Sequence, residues 1–224
     1  MRLLLDDKQI EVCVEDLVIA GYTSRNQEDL KAHIRELEEI GVQPPPQIPM
    51  IYHVSKELLD TKGRISTIGK ECSGEAEIVL LEQKGKWYLG LGSDHTDRQL
   101  ETFSIQKSKQ VCGKPITNEF WDVDKIIHHW DEIELKSWII NDQNEKILYQ
   151  NGKLDSFMLP KDLIKVLEER NYPLKNVLVF GGTIPLLSEE FLYSTKFEAQ
   201  LIDPKLNRKL TLIYEVKELV DTKS

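Results

Sequence analysis

The chain has 224 residues, a length that suits one large domain or one domain with a small appendage. Its 38 acidic and 29 basic residues give a formal charge of −9, which argues against a nucleic-acid partner because such proteins carry a basic surface. No apolar run is long enough to span a bilayer, and three widely spaced cysteines offer neither a disulfide framework nor a zinc site. The sequence therefore predicts a soluble, cytoplasmic protein with reduced thiols.

The first elements change character along the N-terminal quarter of the chain. Residues 1–20 alternate loosely between apolar and polar side chains and predict a strand or hairpin. From Asn26 to Ile40 apolar residues recur at helical spacing, with Asn26 as the expected N-cap. The prolines of residues 44–49 exclude a helix and predict an extended connector.

The remainder of the chain is dominated by β-like segments separated by turn residues. Two further helices are expected, in 123–133 and 159–171. Because strands cluster rather than alternate one by one with helices, the pattern predicts a β-rich α+β domain. A dinucleotide-binding fold is disfavoured, since GLGSDH lacks the third glycine of that motif. The predicted strands are IYHV, RISTIG, AEIVLL, KWYLGLGS, LKSWII, KILYQ, NVLVFGG and KLTLIYEVKEL.

The segment SGEAEIVLL places two carboxylates at the start of a strand that becomes apolar on both faces. Alternation along a strand puts Glu75 and Glu77 on the same face. Buried carboxylates need cations, hydrogen bonds or a metal, and Asp94, after the next strand, could complete a set of three. Such a set would select Mg²⁺ or Mn²⁺. From these residues alone, an exposed turn before the strand is the simpler interpretation.

Four motifs follow one another in order along the chain, and their order resembles that of the fumarylacetoacetate hydrolase superfamily. That superfamily has an E-x-E pair, an N-D-x-T-x-R-D block whose first Asp binds metal, an active-site Lys in K-x-x-x-x-x-P, and a T-G-T-P turn. The resemblance extends from about residue 25 to the C terminus and is strongest to a bacterial branch catalogued as a domain of unknown function. The motifs here are Glu75-x-Glu77, Ser93-Asp94-His95-Thr96-Asp97-Arg98, Lys109 with Pro115, and Gly182-Thr183.

The resemblance implies a fold and a domain organisation. The expected fold is a mixed β-sandwich roll of the fumarylacetoacetate hydrolase type, with few helices. Residues 1–60 would form an N-terminal region that contains a lid helix and the proline-rich connector, and residues 61–224 would form the catalytic β-roll. A homodimer is also expected.

The resemblance also implies a metal-dependent site. Glu75, Glu77 and Asp94 would hold Mg²⁺ or Mn²⁺, and the ion would bind a small 2-oxo acid or β-dicarbonyl acid and stabilise its enolate. Lys109 would be a catalytic residue that adds positive charge beside the oxyanion. Without the resemblance, Lys109 would be interpreted as a solvated lysine in the basic run from Lys107 to Lys114.

The N-terminal helix carries a candidate proton-transfer pair. The superfamily's hydrolases and decarboxylases have R-N followed by an H-x-x-E dyad, and here Arg25-Asn26 is followed by His33 and Glu36. At this spacing the carboxylate can orient the imidazole for acid–base catalysis. Without the resemblance, His33 would be interpreted as a surface histidine. The implied substrate-binding residues are Arg25, Arg98, Gly182 and Thr183.

Several positions depart from the superfamily pattern. Ser93 replaces Asn, Gln99 replaces the second Asp, the T-G-T-P turn is loosened to GGTIP, and the spacing from Arg25-Asn26 to His33 is about three residues longer. The reaction expected first is C–C bond hydrolysis or a lyase step, such as decarboxylation, hydration or dehydration. The alternative is a catalytically reduced protein that binds a metal or ligand on the same scaffold.

Overall fold

The structure is a computed structural model that describes residues 1–28, 30–31, 34–35, 44–141, 143–188 and 190–222. Strands dominate it, and the helices are short. The strands are β1 (Arg2–Leu5), β2 (Lys8–Glu11), β3 (Asp16–Gly21), β4 (Met50–Val54), β5 (Leu59–Asp60), β6 (Arg64–Ile68), β7 (Cys72–Ser73), β8 (Ala76–Gln83), β9 (Lys86–Ser93), β10 (Thr96–Asp97), β11 (Lys114–Pro115), β12 (Glu119–Asp122), β13 (Glu134–Ile140), β14 (Lys146–Lys153), β15 (Val177–Thr183), β16 (Lys196–Asp203) and β17 (Arg208–Leu219).

Two large mixed sheets form the body of the protein. The first has eight strands in the order β2-β1-β12-β9-β8-β15-β3-β4, and the second has five in the order β14-β13-β16-β17-β6. Parallel pairs occur in both, for example β3 with β15 and β6 with β17. The expected β-rich α+β fold with mixed sheets is therefore confirmed.

The hydrophobic core explains why β8 has apolar residues on both faces. Ile78 and Leu80 pack in one buried cluster with residues of the five-stranded sheet, such as Leu201. Val79 and Leu81, on the opposite face, belong to a second cluster formed by the eight-stranded sheet. Because β8 is buried along its whole length, any charged side chain at its start enters a region of low dielectric.

The N-terminal residues are part of the large sheet. Residues 1–20 contribute the predicted hairpin β1–β2 and the strand β3. Strand β1 pairs with β12, and β3 pairs with β15, so strands from both sides of residue 60 are hydrogen-bonded together. The proposed division at residue 60 stays a prediction about domain organisation.

The helices are mostly where the sequence predicts them. Described positions between 27 and 35 are helical, and Asn26 Oδ1 accepts a 3.1 Å hydrogen bond from the Glu28 amide, as an N-cap does. The segment 123–133 divides into an α-helix and a 3₁₀ helix, and His129, inside the 3₁₀ helix, has non-helical torsion angles. The α-helices are Arg98–Glu101, Ile105–Gln110, Val123–Ile126 and Pro160–Glu169, and the 3₁₀ helices are Lys56–Leu58, Ile127–Glu132 and Leu154–Ser156.

Two short helices, Arg98–Glu101 and Ile105–Gln110, were not expected. Each is too short to show an apolar period, but each begins after a capping residue: the Asp97 side chain accepts from the Leu100 amide, and the Ser104 side chain caps the second helix. In the described part of the chain, no helix has the length and apolar composition needed to cross a membrane.

Candidate active site

Three carboxylates meet at one end of the β8–β9 pair. Glu75 directly precedes β8, Glu77 lies within it, and Asp94 directly follows β9. The antiparallel register places Glu77 opposite Gly92, and the Asp94 amide donates a 3.0 Å hydrogen bond to the Glu75 carbonyl. Strand pairing therefore brings together acids that are almost twenty residues apart.

Two lysines flank the fully buried carboxylate of Asp94. Lys109, on the helix Ile105–Gln110, forms an ion pair and a hydrogen bond with Asp94 Oδ2. Lys114 Nζ lies 3.3 Å from Asp94 Oδ1 and donates hydrogen bonds to the carbonyls of His95 (2.7 Å) and Cys112 (2.9 Å). Lys114 thus links the chain beside Asp94 to the chain after Lys109, whereas the Lys109 ammonium pairs with the Asp94 carboxylate itself.

The carboxylate of Glu77 is held by the backbone at the end of β15. Its Oε2 accepts a 3.1 Å hydrogen bond from the Gly182 amide. Gly182 has φ +104°, and a Cβ at this position would lie 2.0 Å from Thr23 Oγ1. Thr23 in turn donates a 2.8 Å hydrogen bond to the Gly181 carbonyl. Only glycine tolerates both the positive φ and the close approach of Thr23. The turn GGTIP therefore depends on Gly182 to present its amide to Glu77.

Arg98 supports Glu75 from inside the protein. Its guanidinium lies 3.3 Å from Glu75 Oε2 and donates to Glu101 at 2.8 Å and to Ser73 Oγ at 2.7 Å. The side chain is only 6% exposed and is stacked on Phe191. The charge of Arg98 is thus paired with two glutamates, and a role of Arg98 in substrate binding stays a prediction.

Burial and charge move the pKa values of the acids in opposite directions. Burial and the nearby Asp94 charge raise the pKa of Glu77 well above its usual value. Burial also raises the pKa of Glu75. Burial would raise the pKa of Asp94 as well, but the ammonium groups of Lys109 and Lys114 lower it. Asp94 therefore keeps its negative charge, while Glu77 retains a proton more readily.

Thr183 and the start of β8 are linked by a glutamine, Gln150, that no sequence motif identifies. Its hydroxyl donates to the Ala76 carbonyl at 2.8 Å and accepts from Gln150 Nε2 at 2.7 Å. The Gln150 oxygen accepts from the Ala76 amide at 2.9 Å and from Ser137 Oγ at 2.7 Å. Gln150 is fully buried, so it fixes the residue between the two glutamates. The hydroxyl proton of Thr183 is thus donated within the protein, and its role in substrate binding stays a prediction.

A cavity of about 440 Å³ opens beside these residues. Glu75, Glu77, Lys109, Gly182 and Thr183 all line it, so the structure brings together five of the predicted site residues. Asp94 lies behind them, in contact with Lys109. The rest of the wall is formed by residues that belong to no predicted motif, among them Tyr22, Leu30, Tyr52, Glu101, Ile105 and Phe157.

One predicted residue, Arg25, lies away from the cavity, and two others cannot be placed. Arg25 does not line the cavity: its guanidinium donates to the carbonyls of Phe157 (3.0 Å) and Leu154 (3.2 Å) and forms a 2.7 Å ion pair with Asp131. Its contacts thus anchor the start of the N-terminal helix rather than a substrate. His33 and Glu36 lie outside the described residues.

The donor set can be tested against a divalent ion. Within the described residues, no three His, Cys, Asp or Glu side chains are already close enough to hold one. The Lys109 ammonium lies against Asp94 instead. Its charge also opposes the rise that burial causes in the pKa values of Glu77 and Glu75. Asp94 Oδ1 is nevertheless buried without a hydrogen bond. Three carboxylates are the oxygen donors that a hard cation prefers, and an ion bound there would take the place of the Lys109 ammonium at Asp94.

Solved structures share this fold at low sequence identity. A putative fumarylacetoacetate isomerase/hydrolase from Oleispira antarctica aligns with a TM-score of 0.66 and 18% identity over 96% of this chain and 98% of that one. A 2-keto-3-deoxy-D-arabinonate dehydratase, complexed with magnesium and 2,5-dioxopentanoate, aligns with a TM-score of 0.65 and 14% identity over 92% and 74%. A 4-oxalocrotonate decarboxylase from Pseudomonas putida G7, complexed with calcium and acetate, aligns with a TM-score of 0.54 and 10% identity over 93% and 78%.

The sequence itself matches one family model. Residues 20–214 match the family described as a protein of unknown function, DUF2848. Among curated proteins, none matches the chain. The expected resemblance is confirmed: the family match is to a protein of unknown function, and the fold is that of fumarylacetoacetate hydrolase-type proteins. The chain belongs to the DUF2848 family and has the fold of the fumarylacetoacetate hydrolase-type proteins.

Proposed function

We propose that the protein is a divalent-metal-dependent enzyme that acts on a small 2-oxo acid or β-dicarbonyl acid by C–C bond hydrolysis or a lyase step. The observation that carries this proposal is the meeting of Glu75, Glu77, Asp94 and Lys109 beside one cavity. Structural neighbours support it: one was crystallised with magnesium and 2,5-dioxopentanoate, another with calcium and acetate.

The residues present would hold Mg²⁺ or Mn²⁺ through the carboxylates of Glu75, Glu77 and Asp94. A divalent ion bound there supplies Lewis-acid chemistry to the carbonyl oxygens of such an acid. The protein's own residues orient this site: Gly182 donates to Glu77, and Arg98 pairs with Glu75.

Lys109 provides a permanent positive charge at the cavity wall. Burial would lower its pKa, but Asp94 and Glu77 raise it above the ordinary value, so the ammonium stays protonated at neutral pH. Burial raises the pKa of Tyr52 to about 12, and its phenol stays neutral. Lys109 is therefore suited to stabilise an oxyanion without transferring its own proton. We assign proton transfer to His33, oriented by Glu36, on the motif resemblance.

Metal-dependent stability tests the proposal directly. Added Mg²⁺ or Mn²⁺ should raise the melting temperature of the wild-type protein, because a ligand that binds only the folded state stabilises it. Glu77→Gln and Asp94→Asn should lose this increase. Glu82→Gln is the matched control: Glu82 is a buried glutamate of the same strand whose oxygens accept from the Gly85 and Asn176 amides. Absence of a metal-induced increase in the wild type would exclude the metal site.

Turnover requires a separate measurement. We expect a screen of 2-oxo and acylpyruvate acids with added metal, analysed by product identification, to yield at least one converted acid. His33→Ala should then lose turnover while keeping the metal-induced stabilisation. Full activity of His33→Ala on that acid would show that the dyad assignment is wrong.

The second candidate is a catalytically reduced protein that binds a metal or ligand on the same scaffold. The ion pair between Lys109 and Asp94 and the commitment of the Thr183 hydroxyl favour it. Metal-induced stabilisation without any product would support this candidate over the enzyme. A homodimer and a cytoplasmic location complete the proposal; the mass of the protein in solution tests the former.

A further inference from the structure

The electrostatic character of the cavity wall is unusual for a protein that binds carboxylic acids. Three glutamates line it, and one of them, Glu101, lies outside the proposed metal set. Glu101 is partly exposed, with 27% of its side-chain surface accessible. Among the described lining residues, Lys109 is the one cation. The wall therefore presents more negative than positive charge to any ligand.

Neither nearby cation is available for a second carboxylate. Lys109 is paired with Asp94 in this structure, and in the metal-bound site we assign it to the oxyanion at the 2-oxo acid end. Arg98 is buried between Glu75 and Glu101, 3.3 Å and 2.8 Å from their oxygens. Within the part of the chain that the structure describes, the two cations near the cavity, Lys109 and Arg98, are therefore both paired with carboxylates of the protein.

The rest of the wall suits an uncharged group. Leu30, Ile105 and Phe157 contribute apolar surface, and Tyr22 and Tyr52 add aromatic rings with hydroxyls. Such surfaces bind aliphatic or hydroxylated chains through burial and hydrogen bonds. These residues carry no positive charge that would offset the cost of dehydrating an anion.

We infer that the substrate is a 2-oxo acid with a single carboxylate and an uncharged remainder, and that Glu101 selects against a second carboxylate. This inference rests on the proposed function, because it assumes that the 2-oxo acid end is bound at Glu75, Glu77 and Asp94. A second carboxylate on the chain of the ligand would face Glu101 without a compensating cation. At the effective dielectric of a protein surface, such a like charge at contact distances weakens binding by about tenfold or more.

The test compares 2-oxopentanoate with 2-oxoglutarate, which have the same chain length and differ in the terminal group. In calorimetric titrations of the wild-type protein with added Mg²⁺, the Kd for 2-oxopentanoate should be at least about tenfold lower than the Kd for 2-oxoglutarate. Equal or tighter binding of 2-oxoglutarate would overturn the inference and leave the proposed function standing. Failure of both acids to bind in a metal-dependent way would overturn the proposed function, and this inference with it.

A variant identifies the residue responsible. Glu101→Gln keeps an acceptor for Arg98 and removes the charge, so it should improve 2-oxoglutarate binding several-fold and leave 2-oxopentanoate nearly unchanged. Glu168→Gln, on the exposed face of the helix Pro160–Glu169, is the matched control and should preserve the wild-type ratio. Melting temperatures confirm that both variants are folded. An equal effect of Glu101→Gln on both acids would contradict the role of Glu101.

Discussion

Lys109 acts as an internal counter-ion for a set of buried acids. Its side chain is 9% exposed and that of Asp94 is fully buried. Its charge also acts on Glu77 and Glu75. Breaking a buried ion pair by removing one partner is costly because the other charge is left uncompensated. If Lys109 were removed, a divalent ion bound at the same acids would supply the lost positive charge. The lysine and the metal should therefore partly replace one another in stabilising the folded protein.

Lys109→Met tests this substitution. Without metal, the variant should lose about 3–5 kcal/mol of unfolding free energy, as expected for one partner removed from a buried pair. Added Mg²⁺ should restore more stability to the variant than it adds to the wild type. Denaturant unfolding with and without the ion measures both effects. Lys107→Met, an exposed lysine on the same helix, should change neither; an equal Mg²⁺ effect in Lys109→Met and wild type would contradict the counter-ion role.

Individual residues differ in how far the sequence predicts them. The acids and Lys109 could be identified because they occupy fixed positions in short motifs. Gln150 could not, because its partners Ala76 and Thr183 are 74 and 33 residues away in sequence. Its amide has no local signature, and only the meeting of β14 with the ends of β8 and β15 gives it a function.

At the scale of elements, the end of β15 is shaped by a register shift. Pairing between β15 and β8 is regular up to Phe180 and then shifts before Thr183. The two intervening glycines form this irregularity, and it directs the Gly182 amide towards Glu77. Bulges are often found where a strand must re-aim a group at a site. The glycines of GGTIP therefore form the irregularity that presents the Gly182 amide to Glu77.

Gly182→Ala should disturb this geometry strongly. The alanine Cβ would collide with Thr23 Oγ1, and the φ of +104° is unfavourable for any L side chain. We expect a loss of roughly 2–4 kcal/mol in unfolding free energy and a weaker metal-induced stabilisation. Gly85→Ala is the matched control: its φ is +80°, but no atom lies within 4 Å of the added Cβ. Its smaller loss should measure the backbone strain alone; equal losses would show that the Thr23 contact is unimportant.

Element prediction depended on length and periodicity. The helix Pro160–Glu169 was expected because its apolar residues repeat over several turns. The helix Ile105–Gln110 was not, although it carries Lys109, since six residues are too few to show a period. Its capping Ser104 was the available signal. Short helices beside a site are therefore more easily found from their caps than from their apolar pattern.

At the scale of the whole molecule, a buried polar group joins the two sheets close to the site. Tyr214, on β17 of the five-stranded sheet, lies 2.9 Å from Ser93 Oγ and 3.0 Å from His95 Nδ1, at the end of β9. His95 is fully buried, and no hydrogen-bond partner is found for its Nε2 among the described residues. Burial, reinforced by the charges of Lys114 and Arg98, lowers the pKa of His95 to about 3.

This shift predicts acid sensitivity of the fold. Between about pH 3 and the ordinary histidine value of 6.5, the unfolded chain binds a proton at His95 that the folded protein does not. The stability contribution is therefore complete above pH 6.5 and is lost as the pH falls, by up to roughly 1.4 kcal/mol per pH unit. In His95→Gln, the slope of unfolding free energy against pH should be smaller by one proton. His53→Gln, at an exposed position, serves as the control; an unchanged slope in His95→Gln would contradict the assignment.

The position of β15 has a consequence for the order of folding. β15 lies between β8 and β3 in the eight-stranded sheet and is the link between β3–β4 and the strands on the other side. Local pairs such as β8–β9 and β3–β4 can form early, whereas the second neighbour of β3, β15, is synthesised about 160 residues later. Contacts of such separation form slowly. Gly182 follows Glu77 by 105 residues, so Glu77 can gain this hydrogen bond only after β15 has been synthesised.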